Sequence, residues 1–133
     1  MQSNNLRYVT ENSYDLLDED RVVGSYLYDK YHESVGRIQG LLVDPEGFEV
    51  RYAVLVDGGF LFTEGKTLLL PRSLYHPLDM GKVQIMWSRE SIQQAPTITS
   101  LDAIPISEEQ AILDYFDLSP YWETTPSETE DQD

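Results

Sequence analysis

The sequence predicts a mainly β protein, and three observations lead to this fold class. Short apolar runs occupy the chain between Val22 and Pro96, glycine, proline and aspartate punctuate them, and no segment between them keeps a helical period. Runs of about four to eight residues bounded by such turn signals are typical of strands. The runs, with some of their turn residues, are VVGSYLY, GRIQGLLVD, EVRYAVLVDGGFLF, TLLLP and VQIMW.

The segment EVRYAVLVD shows the strand period most clearly. Because successive side chains of a strand point to opposite faces, its residues divide into two sets. One face carries Val50, Tyr52, Val54 and Val56, and the other carries Arg51, Ala53, Leu55 and Asp57. Both faces are partly apolar, as expected for a strand in a small closed or nearly closed barrel.

In the run GRIQGLLVD the apolar alternation slips by one residue. Ile38 precedes Leu41 by three positions and Val43 by five, and Gly40 lies at the slip. An extra residue in one strand of a pair is accommodated by a β-bulge, which also bends the strand. We therefore expect a bulge at Gly40.

Two hairpin turns follow from the turn residues. Asp44-Pro45-Glu46-Gly47 has aspartate, proline and glycine at the positions that a type I turn favours, and Asp57-Gly58-Gly59 tolerates positive φ. Later, SRESIQQAP is expected to form a single helical turn that ends before Pro96.

The C-terminal part of the chain shows a helical pattern instead. Ser107 and Gln110 have the spacing of a capping box. We predict an amphipathic helix over residues 108–117 that Pro120 follows. Its apolar stripe consists of Ala111, Ile112, Tyr115 and Phe116.

The length of 133 residues fits one domain with extensions. We expect a polar lead-in over residues 1–20, a barrel over residues 21–97, an extension with the helix over residues 98–122, and a disordered acidic tail over residues 123–133.

The net charge of −15 is concentrated at the two ends of the chain. Residues 1–20 carry −4, residues 21–100 carry −1, and residues 101–133 carry −10. Without a basic patch in the sequence, direct nucleic-acid binding is not expected, because phosphate neutralisation needs clustered cations. The acidic ends suit solubility and disorder, and the alternative is docking onto a basic partner.

The composition also bears on location and cofactors. The chain contains no cysteine, which excludes disulfides and thiolate metal sites. The N-terminal residues are polar and no apolar run is long enough for a membrane span, so we expect neither a signal peptide nor membrane insertion. A cytoplasmic location is the natural expectation.

Eight short elements, in this order and spacing, resemble a known family. They are Val23-Gly24, Leu27-Tyr28-Asp29, Val35-Gly36-Arg37-Ile38, Leu41-Leu42-Val43-Asp44, Tyr52-Ala53-Val54, Gly58-Gly59-Phe60, Leu70-Pro71 and Ala95-Pro96. The family is the PRC-barrel, a domain found in the photosynthetic reaction centre H subunit and at the C-terminal end of the ribosome maturation factor. The resemblance covers roughly residues 20–97.

The resemblance implies a small, mostly antiparallel PRC-type β-barrel of about six strands that acts as a stand-alone interaction or assembly module. Members usually place a glycine in the first hairpin turn, where this chain has His32. If that position requires positive φ, histidine is tolerated there at some cost.

The sequence contains no recognisable catalytic or metal-binding constellation, so we predict neither enzymatic activity nor a cofactor. The segment GFLFTEGKT over residues 59–67 has five residues between its glycines, one more than a P-loop requires, and it runs into LLLP instead of a helix. His32 and His76 are the only histidines, and each lies in a predicted loop.

We predict binding of a protein partner, and the candidate contact residues are mainly aromatic. They are Tyr31, His32, Phe60, Tyr75, Ile112, Tyr115, Phe116, Tyr121 and Trp122. For the helical stripe, packing on its own barrel is favoured, and the alternative is insertion into a partner or a second copy, which would make a homo-oligomer.

Three functions follow from these observations. The first is a non-enzymatic protein-interaction or assembly module. The alternatives are an accessory factor in ribosome maturation or RNA processing, for which the acidic tail would suit a basic ribosomal protein, and an accessory protein of a photosynthetic membrane complex.

Overall fold

The described part of the chain contains eight β-strands, two α-helices and two 3₁₀ helices of three residues each, Asp18–Asp20 and Arg72–Leu74. The computed structural model describes residues 6–12, 16–45, 48–56, 67–78, 81–101 and 103–122. The strands are β1 (Arg7–Val9), β2 (Tyr26–Tyr28), β3 (Ser34–Asp44), β4 (Glu49–Val56), β5 (Thr67–Pro71), β6 (Tyr75–Pro77), β7 (Lys82–Ile85) and β8 (Thr97–Ile98), and the helices are α1 (Arg89–Gln93) and α2 (Ile106–Tyr115). The two predicted hairpin turns and the acidic tail lie wholly or partly outside the described residues.

The strands form one sheet in the order β6-β7-β2-β3-β4-β5-β8, with β1 pairing along β3. The pairings are antiparallel, apart from the parallel pair β2 and β7. The edge strands β6 and β8 do not pair with each other within the described residues, so this part of the sheet is open.

The prediction of a mainly β fold with a short C-terminal helix is confirmed, whereas two finer points are wrong. The strands number eight, not about six, and the sheet is not closed into a barrel over the residues that the structure describes. The count of about six came from the family resemblance over roughly residues 20–97, and β1 and β8, of three and two residues, lie outside it or at its end. Such short strands show no alternation in the sequence, and contacts with the rest of the sheet decide where they pair.

The long strand β3 belongs to both halves of the sheet. Its first residues pair with β2, and its later residues pair with β1 and β4. The register against β4 shifts between Ile38 and Gly40, which confirms the bulge expected at Gly40. A Cβ at position 40 would lie 2.5 Å from the ring of Tyr8 and 2.7 Å from the carbonyl oxygen of Val9, so β1 can pass this point only because the residue is glycine.

The N-termini of the two helices are capped differently. At α1, the Ser88 side chain accepts a hydrogen bond from the backbone N–H of Ser91, and the helical turn predicted there is confirmed. At α2, the helix begins at Ile106 and Pro105 is the N-cap, without a side-chain cap. Ser107 therefore lies in the first turn and does not form the expected capping box.

Side chains of both helices complete the hydrophobic core. Ile92 of α1 and Ile112 and Leu113 of α2 are buried in the same cluster as the inward side chains of the strands. The apolar faces of the sheet are thus covered in part by helices.

None of the helices in the described residues has the length and apolar character that crossing a membrane requires.

We predict that Gly40→Ala destabilises the chain by about 2 kcal/mol, because the added methyl group meets the Val9 backbone as well as the Tyr8 ring. The free energy of unfolding in urea measures the effect. Gly81→Ala is the comparison, since Gly81 has a φ of +73° but no atom within 4 Å of the added Cβ. Backbone strain alone should cost about 1 kcal/mol there. Equal losses in the two variants would contradict the proposed close packing of β1 on β3.

Candidate functional site

The residues predicted as an interaction surface do not form one surface. Phe60 lies outside the described residues. Tyr75, Ile112 and Phe116 are only 2%, 0% and 2% exposed. They pack into the core that joins the sheet to α2, because burial of large apolar side chains drives this docking. In this fold these three residues are therefore unavailable to a partner.

The aromatic stripe of α2 packs against its own chain. The Trp87 ring lies 4.9 Å from the ring of Phe116, edge to face, and 6.1 Å from the ring of Tyr115. The Tyr115 hydroxyl donates to the carbonyl oxygen of Ser91 at 2.6 Å. Tyr115 is partly exposed, and its hydroxyl connects α2 to α1.

A buried carboxylate connects α2 to strand β4. Glu109 is fully buried, and its Oε1 accepts hydrogen bonds from the Tyr52 hydroxyl at 2.8 Å and from the Tyr121 hydroxyl at 2.7 Å. Burial, together with the negative charge of Glu109, raises the pKa of Tyr52 far above its usual value, so this hydroxyl stays a donor. Tyr121 and its neighbour Trp122 are partly buried against the core.

Glu108 and Glu109 both lie in the first turn of α2, but their surroundings differ. Glu108 accepts a hydrogen bond from the backbone N–H of Thr99 near the surface, whereas Glu109 lies inside. The signal that could have found this was spacing: Glu109 precedes the buried Ile112 and Leu113 by three and four residues, and so shares their helical face.

A cavity of about 310 Å³ lies between β4, β5 and the residues that follow α2. Its two cationic side chains already have partners within the chain. Arg51 pairs with Asp44 at 3.2 Å and with Glu49 at 3.3 Å, and Arg72 pairs with Asp20 at 2.7 Å. Because these charges are compensated, the cavity is not a strong anion site.

The turn between β2 and β3 is held by a second buried carboxylate, Asp29. Its Oδ1 accepts the backbone N–H groups of Tyr31 at 2.9 Å and Glu33 at 2.8 Å, and its Oδ2 accepts that of Arg89 at 2.9 Å. One side chain thus fixes the turn and ties it to the first residue of α1. Burial by itself would raise the pKa of Asp29, but the three N–H donors and the Arg89 charge outweigh it, and the pKa is held below its usual value.

The Asp29 contacts were not predicted, although aspartate at the start of a turn is a known signal. Its side chain accepts from the backbone two residues ahead, which is the geometry of an Asx turn. The contact with α1 spans 60 positions of sequence, so no local pattern could indicate it.

Tyr31 and His32 project from this turn. Tyr31 is 64% exposed, and His32 is exposed with a φ of +66°, so the position does require the left-handed conformation that favours glycine. The His32 Nδ1 lies 3.4 Å from the Gln84 Nε2 on β7. The turn therefore borders the solvent side of the neighbouring strands.

That solvent side is a surface that we call the outer face. It is formed by Tyr26, Tyr28, Arg37, His76, Lys82 and Gln84. Tyr26 is paired with both Arg37 of β3 and Lys82 of β7. Residues paired across a sheet share one face, and the alternate residues Leu27 and Val83 are buried in the core.

Sequence reasoning missed the outer face. The alternation of Tyr26, Leu27 and Tyr28 was a signal for it, because it places both tyrosines on one side of β2. The parallel pairing that brings Lys82 beside Tyr26 joins positions far apart in the chain and leaves no such signal.

The comparisons with known proteins agree with this fold. Residues 19–86 match the family model of the PRC-barrel domain, which is about half of the chain. The match includes the strands from β2 to β7 and ends before α1. A comparison with curated proteins finds no match.

We predict that His32→Gly stabilises the chain by up to about 1 kcal/mol, because glycine removes the cost of a side chain at positive φ. Urea unfolding measures the change. His76→Gly is the matched control, since His76 is an exposed histidine within strand β6. There glycine should cost roughly 0.5 to 1 kcal/mol. A loss of stability in both variants would contradict the strain at position 32.

We predict that Asp29→Asn lowers the free energy of unfolding at pH 7 by about 2 kcal/mol, because a neutral amide is a weaker acceptor and its NH₂ group cannot accept at all. Since folding lowers the pKa of Asp29, its contribution is present above the ordinary carboxyl pKa of about 4 and is lost as the pH falls through the folded value.

The difference between the wild type and Asp29→Asn should therefore shrink as urea unfolding is repeated from pH 7 down to pH 2. Asp18→Asn is the control, because the Asp18 side chain is 94% exposed and pairs with Arg21 only at the surface. A pH-independent difference at position 29 would be inconsistent with a stabilising carboxylate there.

Proposed function

The chain belongs to the PRC-barrel family, and on this premise we propose that it is a non-enzymatic protein-interaction or assembly module. The family match suggests a small interaction module. The proposal adds that the binding surface is the outer face together with the adjoining turn that carries Tyr31 and His32.

One observation supports this choice of surface above all others. Five large hydrophobic residues among the described ones are strongly exposed, and four of them lie on or beside β2, β6 and β7. They are Tyr26 in β2, Tyr31 in the turn after it, Leu78 directly after β6 and Met86 directly after β7. Apolar side chains gathered on one side of a protein mark interaction sites, because their burial against a partner is favourable.

The ordered turn also supports the proposal. Asp29 holds the backbone of Tyr31 and Glu33 in place, so Tyr31 is presented to a partner with little further loss of conformational entropy. Tyrosine suits this role, because it offers a large apolar ring and a hydroxyl on a side chain with few rotatable bonds.

A non-enzymatic role fits the placement of the polar groups. The arginines that line the cavity are engaged in ion pairs, and both histidines lie on or beside the outer face, away from the cavity. The buried carboxylates Asp29 and Glu109 accept hydrogen bonds that hold structural elements together.

Two narrower roles are alternatives within the same proposal. A basic ribosomal protein would suit the ten acidic residues of segment 101–133, which favours an accessory role in ribosome maturation. A photosynthetic membrane complex is the other, and it rests on the family analogy alone. We place the protein in the cytoplasm in either case. A homo-oligomer formed by exchange of α2 is a further alternative, and light scattering of the full chain tests it by measuring the molecular mass.

The test is affinity capture from cell extract by the full chain and by the double variant Tyr26→Ser/Tyr31→Ser. We expect a defined set of proteins to be retained by the wild type and to fall at least about fivefold with the double variant, since exposed aromatic anchors carry much of the energy of such contacts. Ribosomal proteins or pigment-bearing membranes in that set would identify the narrower role.

Leu17→Ser is the matched control for this capture, because Leu17 is 64% exposed, as Tyr31 is, but lies outside the β2–β3 hairpin. It should retain the same proteins as the wild type. Identical capture by the wild type and the double variant, or no specific capture at all, would count against the proposed surface.

A further inference from the structure

We propose that the outer face and its adjoining turn bind an acidic segment of a partner protein, in which carboxylates contact Lys30, Arg37 and Lys82. This inference rests on the proposed interaction function and specifies the chemistry of the partner.

The first step is the pairing of the cations. Four arginines form ion pairs with carboxylates of the chain itself: Arg21, Arg51, Arg72 and Arg89. In contrast, no described carboxylate lies within 4.0 Å of the charged nitrogens of Lys30, Arg37 or Lys82. Within the described part of the chain, these three cations therefore have no carboxylate partner.

The second step is what these cations contact instead. The charged group of each lies over a tyrosine ring: Lys30 is 5.3 Å from the centroid of Tyr31, Arg37 is 5.5 Å from that of Tyr26, and Lys82 is 5.7 Å from that of Tyr28. A cation–π contact stabilises a cation without neutralising it. The charged nitrogens consequently keep N–H groups to donate to an incoming acceptor.

The third step is the distribution of acidic residues. The chain has 24 acidic residues and only nine lysines and arginines, so a random surface patch would carry more negative than positive charge. Among the described residues, however, the outer face contains no aspartate or glutamate. Glu33, in the adjoining turn, lies 3.7 Å from Arg89. A positive face on an acidic chain is complementary to a negative partner.

The chemistry of the partner follows from the cationic and apolar side chains that occur together on the outer face and its adjoining turn. Carboxylates would accept hydrogen bonds from the lysines and Arg37, and apolar side chains between them would pack on the tyrosine rings and on Met86, which is 59% exposed. A protein segment supplies both kinds of group. Nucleic acid fits less well, because binding its dense phosphates needs a larger cluster of cations than Lys30, Arg37 and Lys82 provide.

The test is fluorescence anisotropy with the full chain and a labelled ten-residue peptide of alternating glutamate and leucine. We expect saturable binding that weakens with added salt, because contacts between exposed charges are screened. The double variant Arg37→Gln/Lys82→Gln should bind about tenfold more weakly, since two charged contacts are lost. A peptide of alternating glutamine and leucine should not bind.

Two further variants make this result specific. Arg37 Nε also donates to the Gly24 carbonyl oxygen at 3.0 Å, so Lys30→Gln/Lys82→Gln is tested in parallel and should weaken binding without removing that hydrogen bond. Arg7→Gln is the matched control, because Arg7 is an exposed arginine on β1 without a described carboxylate partner and lies away from the outer face. It should bind the acidic peptide as the wild type does.

The inference is overturned if the acidic peptide shows no saturable binding up to roughly 1 mM. It is equally overturned if the two double variants bind the acidic peptide with the same affinity as the control Arg7→Gln. A single-stranded RNA of ten nucleotides that binds better than the peptide would also overturn it. Any of these outcomes, together with capture of proteins that depends on Tyr26 and Tyr31, would leave the proposed interaction function standing and reject only the acidic partner.

Discussion

The bend of strand β3 at Gly40 is the constraint on which the rest of this structure depends. The first residues of β3 pair with β2, the pairing with β4 begins at Ile38, and the pairing with β1 lies beyond Gly40. One strand therefore joins the half of the sheet that carries the outer face to the half that packs beneath α2. Because β1 runs along β3 where a Cβ at position 40 would collide with the Tyr8 ring, the close approach of β1 requires the glycine at which the register of β3 shifts.

Two buried carboxylates hold the remaining elements in place. Asp29 accepts three backbone N–H groups and connects the β2–β3 turn to α1, and Glu109 accepts two tyrosine hydroxyls and connects α2 to β4. A buried charge is expensive unless hydrogen bonds replace its hydration. Both side chains meet this condition through donors from segments distant in sequence, so each carboxylate stabilises a tertiary contact more than a local one.

The placement of aromatic residues separates the core from the candidate binding surface. Phe116 and Tyr75 are enclosed, and Tyr115 lies partly exposed against Trp87, so the stripe of α2 serves the stability of its own chain. Tyr26 and Tyr31 remain at the surface, and basic side chains contact them there. The same residue type thus has two roles, and burial of the ring decides between them.

Local patterns in the sequence determined the fold class, the bulge at Gly40, the helical turn after Ser88 and the existence of α2. Each of these depends on alternation, glycine or helical spacing within about ten residues. The backbone at position 32 was anticipated only as a condition, from the glycine that family members place in this turn, and the structure shows that its φ is positive.

Only the tertiary structure decided the number of strands and the open edge of the sheet over the described residues. It also decided which residues lie in the core and which lie on the outer face. Strands as short as β1 and β8 have no pattern of their own, and the parallel pairing of β2 with β7 places Lys82 beside Tyr26 although 56 positions separate them. The roles of Glu109 and Asp29 likewise depend on donors far along the chain. Sequence periodicity reports which face of an element is apolar, but the partner of that face is chosen by packing between distant segments, which no local pattern records.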